Sequence, residues 1–175
     1  MNIEYFIAEL KKMEPSEALM IQEGFTGLPN SIMRNYDLEK KEPSMKKEER
    51  NVLYVLFNEY DLQFLRFQDF SFDKNISEIN GINKFCSSSG TFLGFQYDHD
   101  EVVEYDFEEL SIVNYCAKNI DSFLASLLKV FELQSLRLQG LVVMDDEKTN
   151  NSFFEKCVSE AGGVRYSNFF KNIIY

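Results

Sequence analysis

Histidine occurs once and cysteine three times in this chain of 175 residues, and both scarcities are informative. A lone imidazole, His99, rules out multi-histidine metal centres and leaves any catalytic relay with a single candidate base. Cys86, Cys116 and Cys157 are odd in number and widely separated, so they make no disulfide framework. No Cys-x-x-Cys pair marks zinc or redox chemistry, and buried or half-buried thiols are expected instead. Glycine-rich phosphate loops and dinucleotide fingerprints are missing too, so no cofactor and no metal are expected. No apolar run approaches a membrane span. The N-terminal MNIEYFIAELKKMEPSE carries Glu4 and Glu9 where a signal peptide would be apolar, and the expected location is cytoplasmic.

Positive charge is the other deficit. Against 29 Asp and Glu stand 18 Lys and Arg, a net charge of −11. Nucleic acid and anionic membrane surfaces are therefore disfavoured partners, because binding them needs a basic face. A basic protein partner suits the charge better. What the chain has in quantity is hydrophobic and aromatic surface, with 17 Phe and 9 Tyr, which excludes a disordered chain. Its length fits one domain, over residues 1–175.

Along the chain, Ile3, Phe6, Ile7, Leu10 and Met13 recur at helical spacing, with Asn2 as cap and Pro15 as stop. A second short helix is predicted from Ser16 to Gly24, and a third after Pro29. DLEKKEPSMKKEER, at 37–50, holds five acids and five bases and predicts a charged flexible loop. NVLYVLF at 51–57 reads as a strand buried on both faces. Leu62, Phe64 and Phe67 then compete for the core, QDFSFDKNISEINGINKF reads as loop around Asn75 and Asn80-Gly81, and Phe70 and Phe72 fit an edge strand.

GTFLGFQY at 90–97 and EVVEYDF at 101–107 predict an antiparallel hairpin, with Val103, Tyr105 and Phe107 towards the core. A short connection follows. Asn119 then caps a helix whose Ile120, Phe123, Leu124, Leu127, Leu128 and Phe131 share one stripe. A short strand is predicted at Leu141 to Met144. A last helix should open on the capping box Ser152-Phe153-Phe154-Glu155 and close at Gly162-Gly163, before a final strand or short helix.

Four constellations invite chemistry. His99 between Asp98 and Asp100 suggests a metal or a tuned base, but neighbours on a turn point in different directions, and a solvated turn accounts for it better. Cys86 before Ser87-Ser88-Ser89-Gly90 suggests a nucleophile with His99 as its only possible base; a small apolar residue near a strand start is the preferred reading. The acid pairs Asp100/Glu101, Glu108/Glu109 and Asp145/Asp146 are what an acid-rich chain produces by chance. The segment from 98 to 109 is different, because it holds seven acids and no Lys or Arg. Asp98, Asp100, Glu101, Glu104, Asp106, Glu108 and Glu109, with Tyr105 and Phe107 interleaved, form a candidate docking strip for a basic protein.

Glu23, followed by Gly27-Leu28-Pro29-Asn30-Ser31-Ile32, resembles the Leu-Pro-x-x-Tyr start of the SUKH superfamily, the group of the yeast cell-wall glucan-synthesis regulator and many bacterial toxin-immunity proteins. GTFLGFQYDHDEVVEYDF resembles its central hairpin, and NIDSFLASLLKVF its terminal helix through Ile120, Ser122, Phe123 and Leu127. Ile32 replaces the family's aromatic, and the charged 37–50 segment stands where the family carries Asn-Gly. The resemblance implies an α+β fold, a mostly antiparallel sheet flanked by helices. It also implies a non-enzymatic protein-binding role, typically the neutralisation of a cognate toxin, often a nuclease. A regulatory scaffold of the same superfamily and a small Cys86/His99 enzyme are the alternatives.

Overall fold

The computed structural model describes residues 1–27, 29–42, 51–96 and 99–175. Residues 43–50 of the predicted charged loop lie outside them. Helix α1, Ile3–Lys12, begins where Asn2 accepts a hydrogen bond from the Glu4 amide at 2.8 Å, and it buries Ile3, Phe6 and Leu10. Helices α2, Glu17–Gln22, and α3, Pro29–Met33, follow as the sequence predicts.

The segment 51–57 is a correction: it belongs to helix α4, Val52–Glu59, and is not a strand. Asn51 accepts from the Leu53 and Tyr54 amides, and Leu53, Leu56 and Phe57 are buried at spacings of three and four. A cap plus helical periodicity outweighs the β-favouring composition of Val, Tyr and Phe.

Among the described residues, six strands then form one antiparallel sheet in chain order: β1 Arg66–Phe67, β2 Phe70–Ile79, β3 Ile82–Ser87, β4 Thr91–Gln96, β5 His99–Asp106 and β6 Ile112–Ala117. With the helices around it, the fold is α+β. Two expectations change here. The region around Asn75 is strand, and Asn80-Gly81, at φ of 50° and 82°, is the two-residue turn of a β2–β3 hairpin. The expected connection before the long helix is strand β6. Bulges interrupt every pairing from β2–β3 to β5–β6, and such bulges bend and twist a sheet.

Helix α5, Ile120–Leu138, carries the predicted stripe, and all six of its residues are buried. Asn119 caps it through the Ser122 amide at 2.8 Å. Helix α6, Glu147–Ala161, starts five residues before the expected capping box, because Asp146 accepts from the Thr149 amide and hydroxyl. Ser152 is therefore inside the helix, and Gly162, at φ 117°, closes it. The Leu141 to Met144 segment is an exposed turn and not a strand, and the chain ends in a 3₁₀ turn, Val164–Tyr166, and helix α7, Ser167–Ile174.

One buried cluster draws residues from Ile3 to Ile174, with α5 meeting Phe67 and Phe85 of the sheet and α4 meeting Phe72 and Phe95. The other sheet face holds a smaller cluster of Ile82, Phe92, Val103 and Tyr105. The predicted Val103/Tyr105 face is thus buried, but away from α5, while Val102 enters the main core. Alternation along β5 sends the two valines to opposite faces.

Candidate functional site

Strand alternation takes the acidic segment apart. Asp98 lies outside the described residues. Asp100 is exposed at the start of β5. Glu101 is engaged by three donors: Arg165 Nε at 3.0 Å, Arg165 Nη2 at 3.2 Å and the Tyr166 hydroxyl at 2.9 Å. The same guanidinium lies 3.9 Å from the Tyr115 ring centroid. An exposed ion pair alone adds little, but this bidentate, stacked arrangement orients Arg165 and ties β5 to the 3₁₀ turn. Its partners are distant in sequence, so nothing local signals it.

Glu104 and Tyr105 correct the expectation of a continuous docking strip. Glu104 is 8% exposed and accepts from Asn114 Nδ2 at 2.7 Å. Tyr105 is 5% exposed and stacks on Phe92 with centroids 5.4 Å apart. Burial, with Glu101 as a smaller cause, raises its hydroxyl above the ordinary value. Both side chains are structural, held inside by the two faces of β5. Asp106 is half-buried and engaged in the turn itself, accepting from the Glu108 amide at 2.9 Å and the Glu109 amide at 2.8 Å.

What remains outside is compact. Asp106 fixes the β5–β6 turn, with Leu110 at φ 54°, and the turn presents Glu108 and Glu109 to solvent. Phe107, expected in the core, is about half exposed; its ring edge meets Phe92 at 5.8 Å, and Lys84 Nζ lies 5.3 Å from its centroid. Ile112 and Val113, the first residues of β6, are exposed to the same degree. β6 is the last strand of the sheet. The 3₁₀ turn and α7 pack against β6, with Arg165 over the Tyr115 ring; among the described residues, Ile112 and Val113 make no backbone hydrogen bond beyond the sheet. A rigid acidic turn, one aromatic ring and two β-branched side chains at the exposed start of the last strand are thus adjacent. Phe107 belongs to the strip that the sequence suggests, although strand parity also points it inward; Ile112 and Val113 are not legible there, because no local signal marks β6 as a strand.

The nucleophile candidate fares differently. Cys86 is wholly buried and donates to the Ser71 carbonyl at 3.1 Å. It lies opposite Leu93 and His99 opposite Gln96, so the two are roughly 10 Å apart both across and along the strands. A reactive thiol needs exposure and a lowered pKa; burial pushes this one well above its ordinary value. Cys116 is raised in the same way, and Cys157 is pushed up to about 12. His99 is exposed, and among the described residues no group of three metal-ligating side chains assembles.

The thiols carry a pH prediction. From about pH 9, where exposed thiols titrate, the unfolded chain loses protons that the folded chain keeps, so stability falls as pH rises towards about 12. Below about pH 9 this contribution is fully present. The urea midpoint is expected to drop between about pH 8 and about pH 10.5, and native thiols should stay unreactive to an aromatic disulfide reagent until urea unfolds the chain. Prompt labelling of the folded protein contradicts this.

Among the described residues no helix is long and apolar enough to cross a membrane. No family model matches the chain, and neither a curated protein nor a solved structure matches it.

Proposed function

We propose that this chain is a cytoplasmic, non-enzymatic protein-binding module of the SUKH kind, an immunity protein that neutralises a cognate toxin with a basic surface. The observation that carries the reading is the β5–β6 turn, where Glu108 and Glu109 follow Phe107 and stand near Ile112 and Val113 at the exposed start of the last strand. Such a surface joins the two things a docking site needs. Its carboxylates steer a basic partner and set orientation. Its half-exposed aromatic and β-branched side chains supply area that a partner can desolvate. The turn is held by Asp106, so little ordering is left to oppose binding. Inhibition would be steric, with the partner's basic groove covered by the turn and the β6 edge.

The gene for an immunity protein lies beside that of its toxin, and absence of a neighbouring toxin gene overturns the immunity reading. With that toxin domain in hand, binding is expected to weaken steeply between about 50 and 300 mM salt, as attraction between exposed charges is screened. The double variant Glu108→Lys, Glu109→Lys should slow association by about tenfold or more, and Phe107→Ala should hasten dissociation. Circular dichroism and the urea midpoint of the charge-reversed protein should stay near wild type. Association that ignores both the salt and the charge reversal removes the turn from the interface.

A further inference from the structure

Away from the β5–β6 turn, a cavity of about 640 Å³ opens between α3, the C-terminal part of α5 and the turn from Gly140 to Asp145. Phe25, Ile32, Tyr36, Leu138 and Val142 give it apolar walls. Its mouth is apolar too, since Val143 and Met144 are 65% and 64% exposed. Arg66 and Arg137 are the two basic residues among those that line it.

Arg137 is the unusual member. Its Nη2 donates to Asn150 Oδ1 and to the Ile174 carbonyl, both at 2.8 Å, and these acceptors are neutral. Its Nε is buried without a hydrogen-bond partner, and no described carboxylate lies within ion-pair distance. That is a costly state for a guanidinium, because burying a charge without a counterion is strongly unfavourable. Desolvation lowers its pKa accordingly. In a chain where acids outnumber bases by 29 to 18, a half-buried arginine without a carboxylate is conspicuous. Glu23 and Asp145 also line the cavity, with Glu23 lying against Gly140. They are paired with neither arginine, and their charges disfavour a ligand carrying more than one negative charge.

We propose that this cavity binds a small amphipathic monocarboxylate, with Arg137 and Arg66 receiving its anionic head and the apolar walls and mouth covering its hydrocarbon body. The chemistry is that of ordinary ligand sites, a mostly apolar concavity with a few polar groups that set orientation. Charge complementarity selects the head, since a guanidinium binds a carboxylate through charge-assisted hydrogen bonds.

Isothermal titration of the intact protein with octanoate, and separately with 1-octanol, tests it. Octanoate should bind saturably at one site, and octanol, which keeps the body but not the charge, should bind at least about tenfold more weakly. Arg137→Gln should reduce octanoate affinity by about tenfold or more and leave octanol unchanged. Because Arg137 also ties α5 to Asn150 and Ile174, that variant can lose fold; Arg66→Gln, at an exposed position on β1, then carries the test through a smaller loss for octanoate alone. Equal binding of acid and alcohol, no saturable octanoate binding, or full octanoate affinity in both arginine variants overturns the proposal.

Discussion

Replacing Phe123 with Ala is expected to lower the free energy of unfolding by about 3–5 kcal/mol, without moving the denaturant slope. Phe123 is fully buried where α5 crosses the sheet. Its ring meets Phe85 at 5.6 Å and Phe67 at 6.3 Å, both edge-on, and Phe169 of α7 at 6.5 Å. One side chain therefore joins two strands to two helices. Truncation removes the transfer free energy of the ring and opens a cavity that neighbours on three other elements cannot all close. Alanine's better helix propensity returns only about 0.5 kcal/mol, too little to change the sign. Urea unfolding followed by far-ultraviolet dichroism measures the loss. A value below about 1.5 kcal/mol would mean that the aromatic cluster repacks around the gap, so that Phe123 is not what holds α5 to the sheet.

That helix was also the most legible element in the chain. Six apolar residues on one stripe behind Asn119 leave no competing periodicity, and the helix lies where that pattern puts it. Legibility failed where composition and periodicity disagreed. In α4 the β-branched and aromatic residues suggested a strand, but the Asn51 cap and burial at Leu53, Leu56 and Phe57 decided for helix. In β2 the polar run through Asn75 looked like loop because its outward positions are solvated, although Asn80-Gly81 is a strong hairpin signal. The acidic segment was recognised by charge, yet its side chains were dispersed by the one property that charge counting ignores, the alternation of a strand with both faces buried. Glu104 and Tyr105 went inward to opposite faces, and Glu101 found Arg165 at the far end of the chain. The apolar part of the candidate surface, Ile112 and Val113, depends on β6 being a strand at the sheet's edge, which is a property of topology and not of local sequence.

Gly94→Val is expected to destabilise by about 3 kcal/mol, at the upper end of overpacking effects. An added Cβ at Gly94 would stand 2.6 Å from Ile82 Cγ2, 3.1 Å from the Asn83 carbonyl oxygen and 3.4 Å from Phe92 Cε2. The Ile82 methyl is not a free chain end, because Ile82 is 5% exposed within the second cluster. The Asn83 carbonyl cannot retreat either, since Asn83 lies opposite Phe95 in the β3–β4 ladder. Valine's higher strand propensity offers at most about 1 kcal/mol in return, so the clash decides the sign. Ile82→Ala should by itself cost about 2–5 kcal/mol as a cavity. Combined with Gly94→Val it removes the nearest obstructing atom, and the pair should be less destabilised than the sum by about 0.5–3 kcal/mol. Strict additivity would show that the obstruction lies elsewhere. The same substitution reaches the candidate surface, because Phe92 supports both Tyr105 and Phe107. Displacing Phe92 takes the packing from under the Phe107 ring, so Gly94→Val should also weaken partner binding although Gly94 sits inside the sheet and touches no partner. A variant that loses stability but binds at full strength would separate the second cluster from recognition and leave the turn held by Asp106 alone.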